Sequence, residues 1–320
     1  MSSFDISEIV LDARATSNWD RVLDYLDHVH LSDRQGKMIL HHSYFQQAPL
    51  HIIQKVINHH PKALSVQDNF GWTPLHIALL FNSRFEVVEF IAKTVPQAIT
   101  IGDKYGYTPL HIALERYRPL RIIKLLIDTN PQVLTLESYD ENGFSPIDLF
   151  NKVWHKGIQE FLQNIPLSIS PKNILSSNVG ISEVVYTVKY IHDVTCILLN
   201  FDYGKCLQNN VINTNESSRL ILHSVLSNQS FSWPFCELFL RLYSCQIDLI
   251  DGYGNHSFHY MVQSSRENIY SKIFPCDEYV DAYTGYAPKS NRLHQSNDLD
   301  YFQALYILMA NKPELCSSSN

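Results

Sequence analysis

Fifteen histidines and six cysteines are the side chains of this 320-residue chain best suited to ligate a metal or to pair as nucleophile and base. Spacing decides among those chemistries. His28 and His30, His41 and His42, and His59 and His60 are near neighbours that point to different faces of a helix, so no such pair shares one ion. His256 and His259, at i and i+3, are the best-placed pair, and a third ligand would have to come from afar, for instance His294. His41, His76 and His111 recur every 35 residues, and His223 and His259 lie 36 apart. Ligands so separated along a repeat cannot close a shell of nitrogens at about 2 Å. All six cysteines lie after residue 195, at 196, 206, 236, 245, 276 and 316, and no two have C-x-x-C spacing. Thiol packing is therefore expected rather than zinc or thioredoxin chemistry. No G-x-x-x-x-G-K-[ST], G-x-G-x-x-G, H-E-x-x-H or G-x-S-x-G occurs. The expectation is no catalytic residue, no metal and no cofactor.

The histidine period belongs to a longer repeat. Gly71-Trp-Thr-Pro-Leu-His-Ile-Ala-Leu79 and Gly106-Tyr-Thr-Pro-Leu-His-Ile-Ala-Leu114 are nearly one sequence written twice. The same shift lays Leu50-His-Ile-Ile over Phe85-Glu-Val-Val and Leu120-Arg-Ile-Ile, then Pro61-Lys-Ala-Leu over Pro96-Gln-Ala-Ile and Pro131-Gln-Val-Leu. Asp68 and Asp103, each three residues before a glycine, spell turns, since Asp bonds its own backbone and Gly accepts positive φ. Thr73 and Thr108 suit N-caps, and Pro74 and Pro109 suit the first helical position, where a missing N–H costs nothing. Leu75, Ala78 and Leu79 then give one short apolar helix face, and Phe85, Val88 and Ala92 give a second helix. Pro61, Pro96 and Pro131 stop that second helix by forcing the preceding residue out of helical φ/ψ.

This pattern resembles the ankyrin repeat, a turn followed by T-P-L-H-x-A and a second helix. Thr73-Pro-Leu-His-Ile-Ala78 and Thr108-Pro-Leu-His-Ile-Ala113 satisfy every fixed position, and Ser145-Pro-Ile-Asp148 satisfies it loosely, two residues late. Gly36-Lys-Met-Ile-Leu-His41 keeps Gly, Leu and His without the Thr-Pro cap, while Leu220-Ile-Leu-His223 and the stretch from Asp251 to His259 look like drifted fifth and sixth units. Two departures stand out. Asn82-Ser-Arg84 and Tyr117-Arg118-Pro119 replace the usual Gly-His before the second helix, and Pro-Gln-Ala or Pro-Gln-Val replaces the Gly-Ala-Asp that usually follows it.

The resemblance implies an all-α, ankyrin-type solenoid of stacked helix-turn-helix repeats with short tips, in which the column histidine bonds neighbouring backbone and cap groups. It also implies a domain plan: an N-terminal capping helix in 1–35, repeats one to four in 36–165, a linker and degenerate helical unit in 166–214, and diverged repeats five and six in 215–320 with an insert at 264–298. Ser17-Asn-Trp-Asp20 has capping-box form, predicting a closing helix over residues 17 to 30. The linker carries Pro166 and Pro171, and the spacing of Val184, Val188, Ile191 and Thr195 predicts a helix from Glu183 to Asn200. Beyond the insert and its Tyr270, Tyr279, Tyr283 and Tyr286, Asp298 to Leu308 resembles a second repeat helix, after which the chain ends almost at once. That ending leaves an alternative: a regulatory or structural fragment of a larger ankyrin-containing enzyme or channel.

A net charge of −7 with no run of Lys or Arg longer than two argues against a nucleic-acid partner. The longest central apolar run, Val194 to Leu199, is far below the roughly 18 residues of a membrane span, and the N-terminus lacks a signal-peptide pattern. An intracellular protein, cytoplasmic or nuclear and monomeric, is expected. Repeats that touch only their neighbours leave tips and first helices free to vary, and binding is expected there. Carried over by column, the family's contact positions are Arg34, Gln35, Lys37 and Phe45, then Asn69, Phe70, Trp72, Leu80 and Phe81, then Lys104, Tyr105, Tyr107, Glu115 and Arg116, and finally Asn142 and Phe144. Within them Phe70, Trp72, Tyr105, Tyr107 and Phe144 form an expected aromatic row, of the residue type that dominates interface hot spots. The functional expectation is a non-catalytic scaffold or adaptor that binds a protein or peptide.

Overall fold

The computed structural model describes residues 6–28, 32–45, 48–138, 143–163, 183–199, 220–228, 230–243, 246–247, 249–251, 254–257 and 259–260, with the side chains of 28, 43–45, 183–185 and 233 excepted. The linker at 166–178, the insert at 264–298 and the C-terminal helix expected after Asp298 lie outside them, as do Asn142 and the side chain of Phe45. The chain divides into two compact units, Met1–Val153 and Trp154–Asn320.

The first unit is a double column of helices. Its elements are α1 (Ile6–Ala15), α2 (Asp20–Leu23), α3 (Ile39–Phe45), α4 (Leu50–His59), α5 (Pro74–Leu80), α6 (Phe85–Thr94), α7 (Pro109–Glu115), α8 (Leu120–Thr129) and the start of α9 (Pro146–Gln163). Helices α1, α3, α5 and α7 stack in sequence, and α6 packs between α4 and α8 beside them. The reason is the apolar stripe each helix must bury. In α8, Ile122, Ile123, Leu126 and Ile127 are all buried, and each such side chain contributes roughly 1.5–3 kcal/mol when withdrawn from water. No strand occurs among the described residues, which hold twelve helices and isolated bridges at Ser32–Met38 and Ile250–His256.

Punctuation by single residues sets the element ends. Helices α4, α6 and α8 stop one residue before the residue that precedes Pro61, Pro96 and Pro131, and each proline opens a 3-10 turn, Pro61–Ser65, Pro96–Ile99 and Pro131–Thr135. The turn occupies the place where the sequence departs from the common Gly-Ala-Asp. The other departure is resolved too. Asn82 and Tyr117 take φ of 55° and 53°, and Ser83 N–H and Arg118 N–H reach back to the carbonyls of Ala78 and Ala113, both at 2.9 Å. This is the left-handed helix stop that glycine usually supplies, made here by other residues.

Two expectations change. No continuous helix runs from 17 to 30: Ser17 is left-handed at φ 54°, and Asp20 begins the four-residue α2 with no side-chain cap. The closing element is instead a helix pair, α1 and α2, whose signal was the buried i, i+4, i+7 set Ile6, Val10 and Ala13. The fourth unit also differs: among the described residues nothing separates a first helix from a second. Without a breaker matching Asn82 or Pro119, α9 runs on for 18 residues and passes into the second unit.

The second unit contains the end of α9, α10 (Glu183–Leu198), α11 (Ile221–Ser227) and α12 (Trp233–Leu242). The degenerate helix expected from Glu183 is α10. Helices α11 and α12 pack together, and Trp154 of α9 lies 5.9 Å from Tyr190 of α10, ring to ring.

Candidate protein-binding face

The first three tips of the first unit are each built around one aspartate. Asp68 Oδ1 accepts Phe70 N–H and Trp72 N–H, both at 2.9 Å. Asp103 Oδ1 accepts Tyr105 N–H at 2.8 Å and Tyr107 N–H at 3.0 Å, and Asp33 Oδ1 accepts Gln35 N–H and Lys37 N–H. Gly71 and Gly106 complete the turns at φ 79° and 83°, where only glycine sits without strain. The tips are also joined to one another. Asn69 N–H donates to Gln35 O at 2.9 Å and Lys104 N–H to Phe70 O at 3.2 Å, while Gln67 Nε2 bridges the carbonyls of Gly71 and Gly102. Gly71 is needed twice over, since a Cβ there would meet Lys104 N at 2.4 Å.

Behind the tips, the histidine column ties cap to neighbour. Thr73 N–H and Oγ1 both approach His76 Nδ1, at 3.1 and 2.8 Å. Nδ1 therefore accepts, Nε2 carries the proton, and Nε2 donates to Tyr107 O at 3.0 Å. His111 repeats the arrangement with Thr108 and Phe144 O. His41 Nδ1 accepts Met38 N–H while Nε2 meets Trp72 O. Burial outweighs these bonds and lowers His76 to about 4, and it lowers His41 as well. In the fourth unit Asp148 replaces the histidine, and its Oδ2 accepts Ser145 Oγ–H at 2.6 Å.

With the backbone so pinned, the expected contact residues separate into two columns. Phe70 and Tyr105, before the glycine, are exposed at 37% and 51%. Trp72 and Tyr107, after it, are half-buried, Trp72 stacked on Phe70 with centroids 5.1 Å apart and Tyr107 edge-on to His111. Phe144 leaves the row altogether: it is buried, its N–H donates to Ser138 Oγ, its carbonyl accepts from His111, and Lys152 of α9 lies over its ring at 4.4 Å. An aromatic covered by α9 is core, not contact surface. Phe81, Lys104, Glu115 and Arg116 are exposed at the ends of α5 and α7 and on the third tip, with Glu115 and Arg116 paired at 3.5 Å. Tyr117, left-handed and exposed beside them, was not among the expected contacts.

Sequence reasoning also passed over a buried cluster in the second unit. His192 Nδ1 meets Asp193 Oδ1 at 2.8 Å, Nε2 meets the Tyr243 hydroxyl at 2.5 Å, and Cys196 Sγ is 3.6 Å from Nε2. The residue types match a nucleophile, base and orienting acid. Here they are core: all four are buried, and the phenol occupies the nitrogen that would have to take the thiol proton. No motif scan finds such a cluster, because Tyr243 lies 51 residues away in sequence. Burial pushes the Cys236 thiol up to about 12, away from reactivity. No group of three His, Cys, Asp or Glu suited to a metal occurs among the described residues.

Stacked helix-turn-helix units with zipped tips and a cap-linked histidine define a repeat solenoid over the first unit. Residues 40–137 match the family model of ankyrin repeats in three copies, and this stretch of the chain is an array of ankyrin repeats. No curated protein matches the chain. Ankyrin repeats as a class are protein-interaction modules, and no described helix is long and apolar enough to cross a membrane.

Proposed function

We propose that this protein is a non-catalytic binding module that holds a protein or peptide partner on the tips of the first unit and the adjoining ends of α5 and α7. The observation that supports it is a contrast on one loop. The backbone from Asp68 to Trp72 and from Asp103 to Tyr107 is fixed by aspartate, glycine and cross-tip bonds, while Phe70, Tyr105 and Phe81 stand exposed on it at 37%, 51% and 39%. Rigid loops presenting large rings lose little entropy when a partner covers them. Phe70, Trp72, Phe81, Lys104, Tyr105, Tyr107, Glu115 and Arg116 form this face, with Asn142 its neighbour in sequence register. The protein acts inside the cell, in cytoplasm or nucleus, as a monomer, with no nucleic-acid partner and no cofactor.

Affinity capture with the intact chain, compared with a Phe70→Ala, Tyr105→Ala variant of unchanged helicity, tests this. A partner held by the first and lost from the second is the expected result. Equal recovery by both would remove the tips from the binding face.

A further inference from the structure

Every described acidic group on the first three tips is turned to the backbone. Asp33, Asp68 and Asp103 each spend Oδ1 on two N–H groups of their own loop, Asp68 and Asp103 are buried, and half-buried Asp33 also meets His42 Nε2 at 3.1 Å. The charges left facing water are positive: Arg34 and Lys104 are exposed and Lys37 is half-buried. They stand on a chain whose net charge is −7. The lysines also gather around the exposed ring, Lys104 Nζ at 5.2 Å and Lys37 Nζ at 6.0 Å from the centre of Phe70, with Lys104 Nζ 4.9 Å from the centre of Tyr105. Because Asn69 and Lys104 bond to the preceding tips through backbone, these groups form a row of fixed register. Exposed Glu137 follows the third repeat and ends the positive run.

A row differs from a pocket. One phosphate needs donors that converge on a point, whereas cations spread over the first and third tips, Arg34 and Lys37 on one and Lys104 on the other, match carboxylates spaced along a chain. Three cations also neutralise few phosphates, and the overall negative charge opposes a long polyanion. We propose that Arg34, Lys37, Phe70, Lys104 and Tyr105 form a strip that binds an acidic peptide segment, its carboxylates paired with the cations and its apolar side chains laid on Phe70 and Tyr105. This rests on the tip face proposed above and adds the chemistry of its occupant.

The test is selection of random peptides of about 12 residues, displayed on phage, against the immobilised full chain and against an Arg34→Glu, Lys37→Glu, Lys104→Glu variant. Circular dichroism and urea midpoint establish that the variant is folded, and Arg34→Gln with Lys104→Gln serves if it is not. The wild-type pool is expected to be rich in Asp and Glu interspersed with aromatic or aliphatic residues. A fluorescein-labelled peptide from it should bind about tenfold or more weakly to the variant, and about tenfold more weakly as salt rises from about 50 to about 300 mM. Neutral or basic peptides whose binding is lost in Phe70→Ala, Tyr105→Ala would overturn the acidic occupant and leave the tip face standing. Peptides indifferent to every tip change, or no enrichment at all, would overturn both. Tighter binding of a labelled single-stranded oligonucleotide, lost in the charge-reversal variant, would assign the strip to phosphates instead.

Discussion

His76 in the first unit and His223 in the second occupy the same place in a short first helix, and both are essentially excluded from solvent. Their surroundings differ. His76 closes a capping box with Thr73 and donates to the next tip at Tyr107 O. For His223 the cap position is Leu220, which has no side-chain acceptor, and neither ring nitrogen has a hydrogen-bond partner among the described residues; Asp251 Oδ2 stands 4.0 Å from Nδ1. The next tip is nonetheless well formed, with Asp251 Oδ1 accepting Asn255 N–H at 2.9 Å and Gly254 at φ 81°. Turn and histidine are therefore separable. The turn needs only its own Asp and Gly, whereas the histidine needs a cap beneath it and a carbonyl from the neighbouring unit at the same time.

Substituting the two histidines sharpens this most. His76→Leu strands the Thr73 N–H inside the stack and leaves the Tyr107 carbonyl with only the Asp103 N–H, and a loss of about 3 kcal/mol in urea unfolding is expected, since an orphaned buried group costs roughly 1–3 kcal/mol and a lost hydrogen bond about 1 kcal/mol more. His223→Leu removes nitrogens with no hydrogen-bond partner among the described residues and should change stability by less than about 1 kcal/mol, or raise it. Equal losses from both would erase the distinction.

Acid probes the same column. His76 is lowered from 6.5 to about 4 by burial, so its contribution is complete above pH 6.5 and is lost as pH falls through about 4. The sign follows because the unfolded chain takes up the proton first. The full shift corresponds to about 3 kcal/mol, His41 and His223 act in the same direction, and unfolding midpoints measured between pH 7 and 4 should fall steadily. A flat profile would mean that His76 is not held neutral.

The two turn glycines come next. At Gly71 an added Cβ meets the backbone of Lys104 and Asp103 within 3.0 Å, and at Gly254 it meets nothing within 4 Å. Gly71→Ala should cost about 3 kcal/mol and Gly254→Ala only the backbone strain of about 1 kcal/mol, both read from urea midpoints. Smallest of all, Asn82→Gly should shift stability by a few tenths of a kcal/mol, because Asn already tolerates the left-handed region.

Much of the first unit was legible because its signals are local. Thr73, Pro74 and His76 declare a helix start within four residues, and Gly71 declares the turn before it. The α1–α2 pair was missed because the Ser17-to-Asp20 pattern imitates a cap, while the true stripe of Ile6, Val10 and Ala13 precedes it. The site was legible only by column. Counting from the glycine located Phe70 and Tyr105 on the surface but could not foresee that α9 covers Phe144, because that cover depends on a helix that fails to break after Asp148.

By itself, the sequence determined the repeat length, the helix starts, the turn at each Asp-Gly pair and the family over the first unit, since each rests on backbone preferences of a few adjacent residues. Only the tertiary structure decided which aromatics are contact surface and which are core, that the tip carboxylates are spent on backbone while the cations face water, and that His192, Asp193 and Cys196 close around Tyr243. The first and last of those outcomes depend on groups far apart in sequence meeting across stacked helices, as His111 meets Phe144 33 residues away and His192 meets Tyr243 51 residues away, where burial and competing hydrogen-bond partners, not local propensity, set the result.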